Sequence, residues 1–135
     1  MYDTLTRWLE YSSAGHPPAI LIHGLSASDN HMKELAKGGF TIGLMPDAGF
    51  ESEVVQVSPF NKIFLFSDGV YEWRSQDGVS MNTFHDWLDY IAKASLSENF
   101  NVDIALSDLS QARKTDVFDD DVSILQISFE NPKAL

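Results

Sequence analysis

The hydrophobic period turns from strand-like to helical along this chain and back again at its last strand, and those changes limit the folds open to it. As far as about Phe66 the apolar residues fall in short, strand-like runs; beyond residue 82 they recur at helical spacing. Strands gathered first, helices afterwards and one closing strand read as α+β rather than as alternating α/β. The 135 residues leave room for one ordinary domain, taken here as 1–135. No internal repeat, low-complexity tract or linker divides it.

Residues 6–12 read as a partly alternating strand and residues 19–23 as a short buried one. Between them lies Ala14-Gly15-His16-Pro17-Pro18, which is neither helix nor central strand because two consecutive prolines remove two backbone donors. A rigid turn there predicts that the flanking strands form a hairpin. Residues 53–57 and 62–66 read as a second pair around Ser58-Pro59-Phe60-Asn61, the latter apolar enough to be covered on both faces. Residues 38–44 read as irregular, glycine-articulated chain. Phe84, Trp87, Leu88 and Ile91 make one stripe of a helix over about 82–94, capped by Ser80 or Asn82. Ile104, Ala105, Leu109 and Ala112 predict a second helix, with Arg113 and Lys114 near its C-terminus. Residues 122–129 read as the closing strand.

Lys plus Arg number 9 against 20 Asp plus Glu, a net charge of −11. Such an excess repels phosphate backbones and anionic membrane surfaces, so neither nucleic acid nor membrane is the expected partner. The absence of cysteine excludes disulfides, a thiolate zinc site and a cysteine nucleophile, and fits a reducing compartment. No apolar run approaches the roughly 18 residues of a membrane span, and the N-terminus lacks a signal-peptide pattern. A cytoplasmic location is expected.

Two acidic places could carry chemistry. Asp68 stands where an apolar strand gives way to a glycine turn; Asp120 and Asp121 stand just before another apolar strand. If those strands are antiparallel neighbours, the three carboxylates meet at one sheet end. Carboxylates so gathered repel unless a proton or cation intervenes, and all-oxygen donors suit Mg2+ or Mn2+. An Asp-Gly turn and an aspartate run also occur as ordinary solvated punctuation. His16, beside two prolines in the turn, reads as shaping that turn rather than as catalytic. His23, His31 and His85 show no ligand spacing, and Trp8, Trp73 and Trp87 suit packing rather than nucleotide stacking.

Four segments together carry a resemblance. Ser67-Asp68-Gly69-Val70-Tyr71-Glu72, after its apolar strand, resembles the [ST]-D-G-[VL]-x-E motif of bacterial PPM (phosphatase 2C-like) metal-dependent serine phosphatases of the sporulation stage II protein E and sigma-factor-regulator type. Ser13-Ala14-Gly15-His16-Pro17-Pro18 is similar to their A-G-H-x-P turn, and Phe40-Thr41-Ile42-Gly43-Leu44 to their P-L-G-[LIV] segment. Asp120-Asp121-Val122-Ser123 is similar to their D-D-[IVM]-[TS] motif. The motifs stand in family order over nearly the whole chain. The resemblance implies an α-β-β-α sandwich with antiparallel sheets. It also implies two Mn2+ or Mg2+ ions sharing a water that attacks phosphoserine or phosphothreonine, with no covalent intermediate. Asp68 and Asp120 match ligands mainly of one metal, and Asp121 matches the second acid of the pair.

The family's earlier G-D-x-x-G-[KH]-G segment, which serves the other metal, has no counterpart in this sequence. Phe60-Asn61 replaces a usual Gly-Asp turn, and Ser13 a common Asn. The resemblance is therefore to the C-terminal half of the domain, with the N-terminal portion missing. It implies descent from a phosphatase acting on a regulatory phosphoprotein, such as an anti-sigma-factor antagonist, with this chain alone inactive. The alternative is a non-catalytic PPM-like module that binds a partner in signalling. A half-domain predicts a bare strand edge near residues 6–12, exposed apolar surface and self-association.

Overall fold

The computed structural model describes residues 1–23, 31–74, 83–97, 99–115 and 117–130. The elements run β1 (Trp8–Tyr11), β2 (Ser13–Ala14), β3 (Ala19–His23), β4 (His31–Leu35), β5 (Gly38–Gly39), β6 (Glu53–Gln56) and β7 (Lys62–Phe66). A 3-10 turn (Asp68–Val70), α1 (Phe84–Ala94), α2 (Val102–Arg113) and β8 (Ile124–Ser128) follow.

Alternation in β7 sets the layers. Ile63 points to one side and Phe64 and Phe66 to the other, and all three are buried. Around β7 lies an antiparallel sheet in the order β4-β3-β7-β8, with Ile20 opposite Phe64 and Ile63 opposite Ile127. On the Ile63 side, β1 and β6 form a two-stranded antiparallel sheet, and Val55 and Val57 pack with Leu21, Leu35 and Ile63. On the other side, Trp87, Leu88 and Ile91 of α1 and Ala105 and Leu109 of α2 cover Ile20, Ile22, Phe64 and Phe66. The result is β-β-α layering, an α+β fold with two cores. Burying a side chain such as Phe64 contributes about 1.5–3 kcal/mol.

The helices begin on identifiable caps. Thr83 accepts from the Asp86 N–H, and the Asp86 carboxylate accepts from the Thr83 N–H at 2.8 Å. Ser80 and Asn82, the expected caps, lie outside the described residues. Asn101 caps α2 by accepting from the N–H groups of Asp103 and Ile104, both at 3.0 Å. The buried stripe of α2 is Ala105, Leu109 and Arg113. Ile104 and Ala112 are exposed, so the expected stripe is rotated.

Neither expected strand pairing forms. β1 pairs with β6, and β3 pairs with β4 and β7. The segment from Ser13 to Pro18 is a crossover between layers: Ser13 and Ala14 lie parallel to Gly38 and Gly39, so the first two residues of the expected irregular stretch are also paired. Ser58-Pro59-Phe60-Asn61 likewise carries the chain from β6 in one layer to β7 in the other, with Phe60 at φ 67°. Crossing lets each sheet bury a face that a flat hairpin would leave wet. The N-terminus folds back on β1: Asp3 N–H donates to the Trp8 carbonyl at 2.9 Å, and Glu10 N–H to the Met1 carbonyl at 2.8 Å. With β6 on its other side, β1 is paired along both edges, so the bare edge expected at 6–12 is not found. Trp73 and Trp87 are core residues, whereas Trp8 is 46% exposed. No helix among the described residues is long and apolar enough to cross a membrane.

Candidate functional site

Antiparallel alternation brings four chain segments to one end of the large sheet. There β4 ends, β3 begins, β7 ends and β8 begins. The turn before β3, the chain after β4, Ser67-Asp68-Gly69 and Asp120-Asp121 therefore share that end. Gly15, at φ 80°, has its α-carbon against Thr41, so the proline turn and the Phe40–Leu44 stretch are in direct contact.

Ser67 fastens the two acid-bearing segments together. Its N–H donates to the Ser123 carbonyl at 3.0 Å and its hydroxyl donates to the Asp121 carbonyl at 2.8 Å. The same Oγ accepts from the Ser123 N–H at 2.9 Å. Gly69 completes the fit, because a Cβ there would lie 2.5 Å from the Asp121 carbonyl oxygen and 3.3 Å from that of Asp120. Only a residue without a side chain lets the two backbones approach this closely. The Asp68 carbonyl accepts from Tyr71 and Glu72 at 2.9 and 2.8 Å, which winds the chain into the short turn and leaves the carboxylate outside it. The Asp120 carboxylate accepts from the Asp121 N–H at 2.7 Å.

Asp68, Asp120 and Asp121 are thus gathered at one sheet end, and all three are exposed, which relieves like-charge repulsion through solvent. Their donors are oxygen only, the chemistry of a hard divalent cation. Among the described residues, however, no three His, Asp or Glu side chains converge on a common point. The donor chemistry suits such a cation, but among the described residues the three carboxylates do not form a closed ligand set.

His16, His23 and His85 are engaged in other contacts. His16 Nδ1 hydrogen-bonds the Pro17 carbonyl at 2.8 Å and its own carbonyl accepts from Ser13 Oγ, so it shapes the turn. His23 Nδ1 lies 2.7 Å from the amide nitrogen of buried Asn61. His85 stands edge-on to Phe84. Ser67 and Gly69 were legible as motif letters, but their work of clamping Asp120-Asp121 is visible only in three dimensions.

A family model described as Stage II sporulation protein E (SpoIIE) matches residues 1–130. Among solved structures, the RsbU and RsbW domains of Rv1364c from Mycobacterium tuberculosis share 23% identity at a TM-score of 0.72, over 98% of this chain and 35% of that one. The phosphatase domain of the cell fate determinant SpoIIE from Bacillus subtilis, presoaked with manganese, shares 11% identity at a TM-score of 0.67, over 100% of this chain and 56% of that one. A longer piece of the same protein, its PP2C phosphatase domain with a fragment of the regulatory domain, gives 14% identity and a TM-score of 0.69 over 98% and 36%. The chain therefore spans about a third to somewhat over half of these solved chains, and over that span its fold is theirs. No curated protein matches the sequence significantly.

Proposed function

The chain belongs to the stage II sporulation protein E family, and from that premise we propose that it derives from a metal-dependent protein serine/threonine phosphatase. In this reading it carries the part of the phosphatase that holds Asp68, Asp120 and Asp121. The observation that carries the reading is the clamp of Ser67 and Gly69 on Asp120-Asp121, which sets two acid-bearing segments side by side. Asp68 and Asp120 would hold one cation, and Asp121 would orient its water shell. Bound Mn2+ or Mg2+ would supply Lewis-acid activation of water and neutralise phosphate charge. The chain's own contribution is positional: Ser67 fixes the separation of the two acidic segments, and their exposure leaves room for a phosphoprotein side chain.

The proposed substrate is a phosphoserine or phosphothreonine in a regulatory protein of the anti-sigma-factor-antagonist kind, in the cytoplasm. The likeness to a chain that contains RsbU and RsbW domains supports that partner class. The alternative is a non-catalytic module that binds a signalling partner. This sequence holds only one side of a two-metal site, so the 135-residue chain alone should be inactive. With Mn2+ present, the purified chain should leave a phosphoserine peptide unhydrolysed above background. Turnover that disappears in Asp68→Ala would overturn this expectation.

A further inference from the structure

Arg113 closes α2 and is 5% exposed, an unusual position for a side chain that does not surrender its charge. Its guanidinium carbon lies 5.4 Å from the centre of the Trp73 ring and 4.7 Å from that of Phe118. Its Nη2 donates to the Val117 carbonyl at 3.1 Å and to the Asp119 carboxylate at 3.3 Å. Trp73 follows Asp68 along the same tight turn, whose N–H groups of Tyr71 and Glu72 are bound to the Asp68 carbonyl. Phe118 and Asp119 immediately precede Asp120-Asp121. One planar cation therefore touches an aromatic ring from each of the two acid-bearing segments.

We propose that Arg113 is a positioning residue that clasps the Trp73 and Phe118 rings and thereby fixes Asp120-Asp121 against Asp68; its functional meaning rests on reading those aspartates as cation ligands. A helix cap would explain a cation at this place, but not its contacts. A cap donates to the last helical carbonyls, whereas Arg113 reaches forward to Val117 and Asp119, beyond the helix end. Exposed Lys114 already offers the helix C-terminus a solvated charge. The ion pair to Asp119 is weak support by itself, because Asp119 is largely in water. The fork and the two ring faces carry the specificity, and a lysine ammonium reproduces neither.

The test uses the full chain, 15N-labelled, as wild type, Arg113→Met and Arg113→Lys, read by amide exchange and by Mn2+ affinity. In Arg113→Met the Ser67 and Ser123 amides should lose about tenfold or more of their protection while Trp87 and Ile91 in α1 keep theirs. Mn2+ affinity should fall about tenfold or more. Arg113→Lys, retaining charge without the fork, should lie between wild type and Arg113→Met in both readouts. Unchanged exchange at Ser67 and Ser123, or exchange accelerated equally across both cores, would overturn the clasp. If the wild type takes up no Mn2+ while Ser67 and Ser123 respond selectively, the clasp stands and the cation reading fails. If Mn2+ binds and Arg113→Met matches the wild type, the reverse holds. Should Arg113→Met not fold, Trp73→Leu removes one ring of the clasp and is judged by the same two readouts.

Discussion

Glu53 shows how single residues hold the layers together. Its carboxylate accepts from Lys33 Nζ of β4 at 2.7 Å and from the Tyr11 hydroxyl of β1 at 2.8 Å, so one β6 side chain joins three strands across two sheets. The Lys33 bond, then the Tyr11 bond, hold the Glu53 carboxyl below its usual range. Burial, then the bond to Glu53, pushes the Tyr11 phenol up to about 12. The depressed Glu53 contributes stability that is present above the ordinary carboxylate value near 4.3 and is lost as pH falls through its folded value. The raised Tyr11 contributes stability that is full below the ordinary tyrosine value near 10 and is lost as pH rises through about 12. Urea midpoints should therefore hold level between about pH 5 and 10 and fall on both sides. Tyr11→Phe should soften the alkaline fall and keep the acid one, since Lys33 remains. Residues of this kind differ in how well the sequence announces them. Ser67-Asp68-Gly69 is readable because the turn chemistry is local. Arg113 is not, because its burial depends on Trp73 and Phe118, which lie on either side of it in sequence and meet only in the folded chain.

At the scale of elements, α1 owes its start to the Thr83–Asp86 capping box. Thr83→Ala should cost about 1 kcal/mol and lower the thermal midpoint by several degrees, measured by circular dichroism. Loss of a few tenths or less would show that packing of Trp87 and Ile91 alone sets the helix start. The helical stripe of α1 was legible because its four apolar residues repeat at strict spacing. That of α2 is rotated from its apolar pattern, since Ile104 is apolar yet exposed and Arg113 is charged yet buried. β7 is legible from its nearly continuous apolar run and β8 from apolar residues interspersed with Ser123, Gln126 and Ser128, while their antiparallel pairing is visible only in the fold. The pairing of β1 was not legible, because its partner β6 lies some forty residues away and the proline turn imitates a hairpin. Edge strand β4 leaves no pattern in the sequence, for Leu35 is its one buried apolar residue among those whose burial is described.

The whole molecule leaves one sheet face incompletely covered. The small β1/β6 sheet caps Leu21, Leu35 and Ile63, whereas Leu125 and Ile127 on β8 remain 55% and 40% exposed. Among the described residues β8 pairs only with β7, and residues 122–129 carry no charge to blunt its outer edge. The chain should therefore self-associate through β8, more so as salt screens its −11 charge. Light scattering at micromolar concentration should report a species larger than one chain, and Leu125→Lys with Ile127→Lys should return it to a monomer. A wild-type monomer at all salt concentrations would contradict this. The self-association expected from the sequence thus moves from β1, whose edges are both paired, to the far side of the larger sheet. We propose that the sheet end holding Asp68, Asp120 and Asp121 is a cation site inherited from a phosphatase. It is tested most directly by titrating the 15N-labelled chain with Mn2+ and mapping which amide signals the paramagnetic ion broadens. Broadening should begin at residues 67–70 and 119–123 and vanish in the Asp68→Ala, Asp120→Ala double variant. Broadening that begins elsewhere, or that survives both substitutions, would contradict the claim.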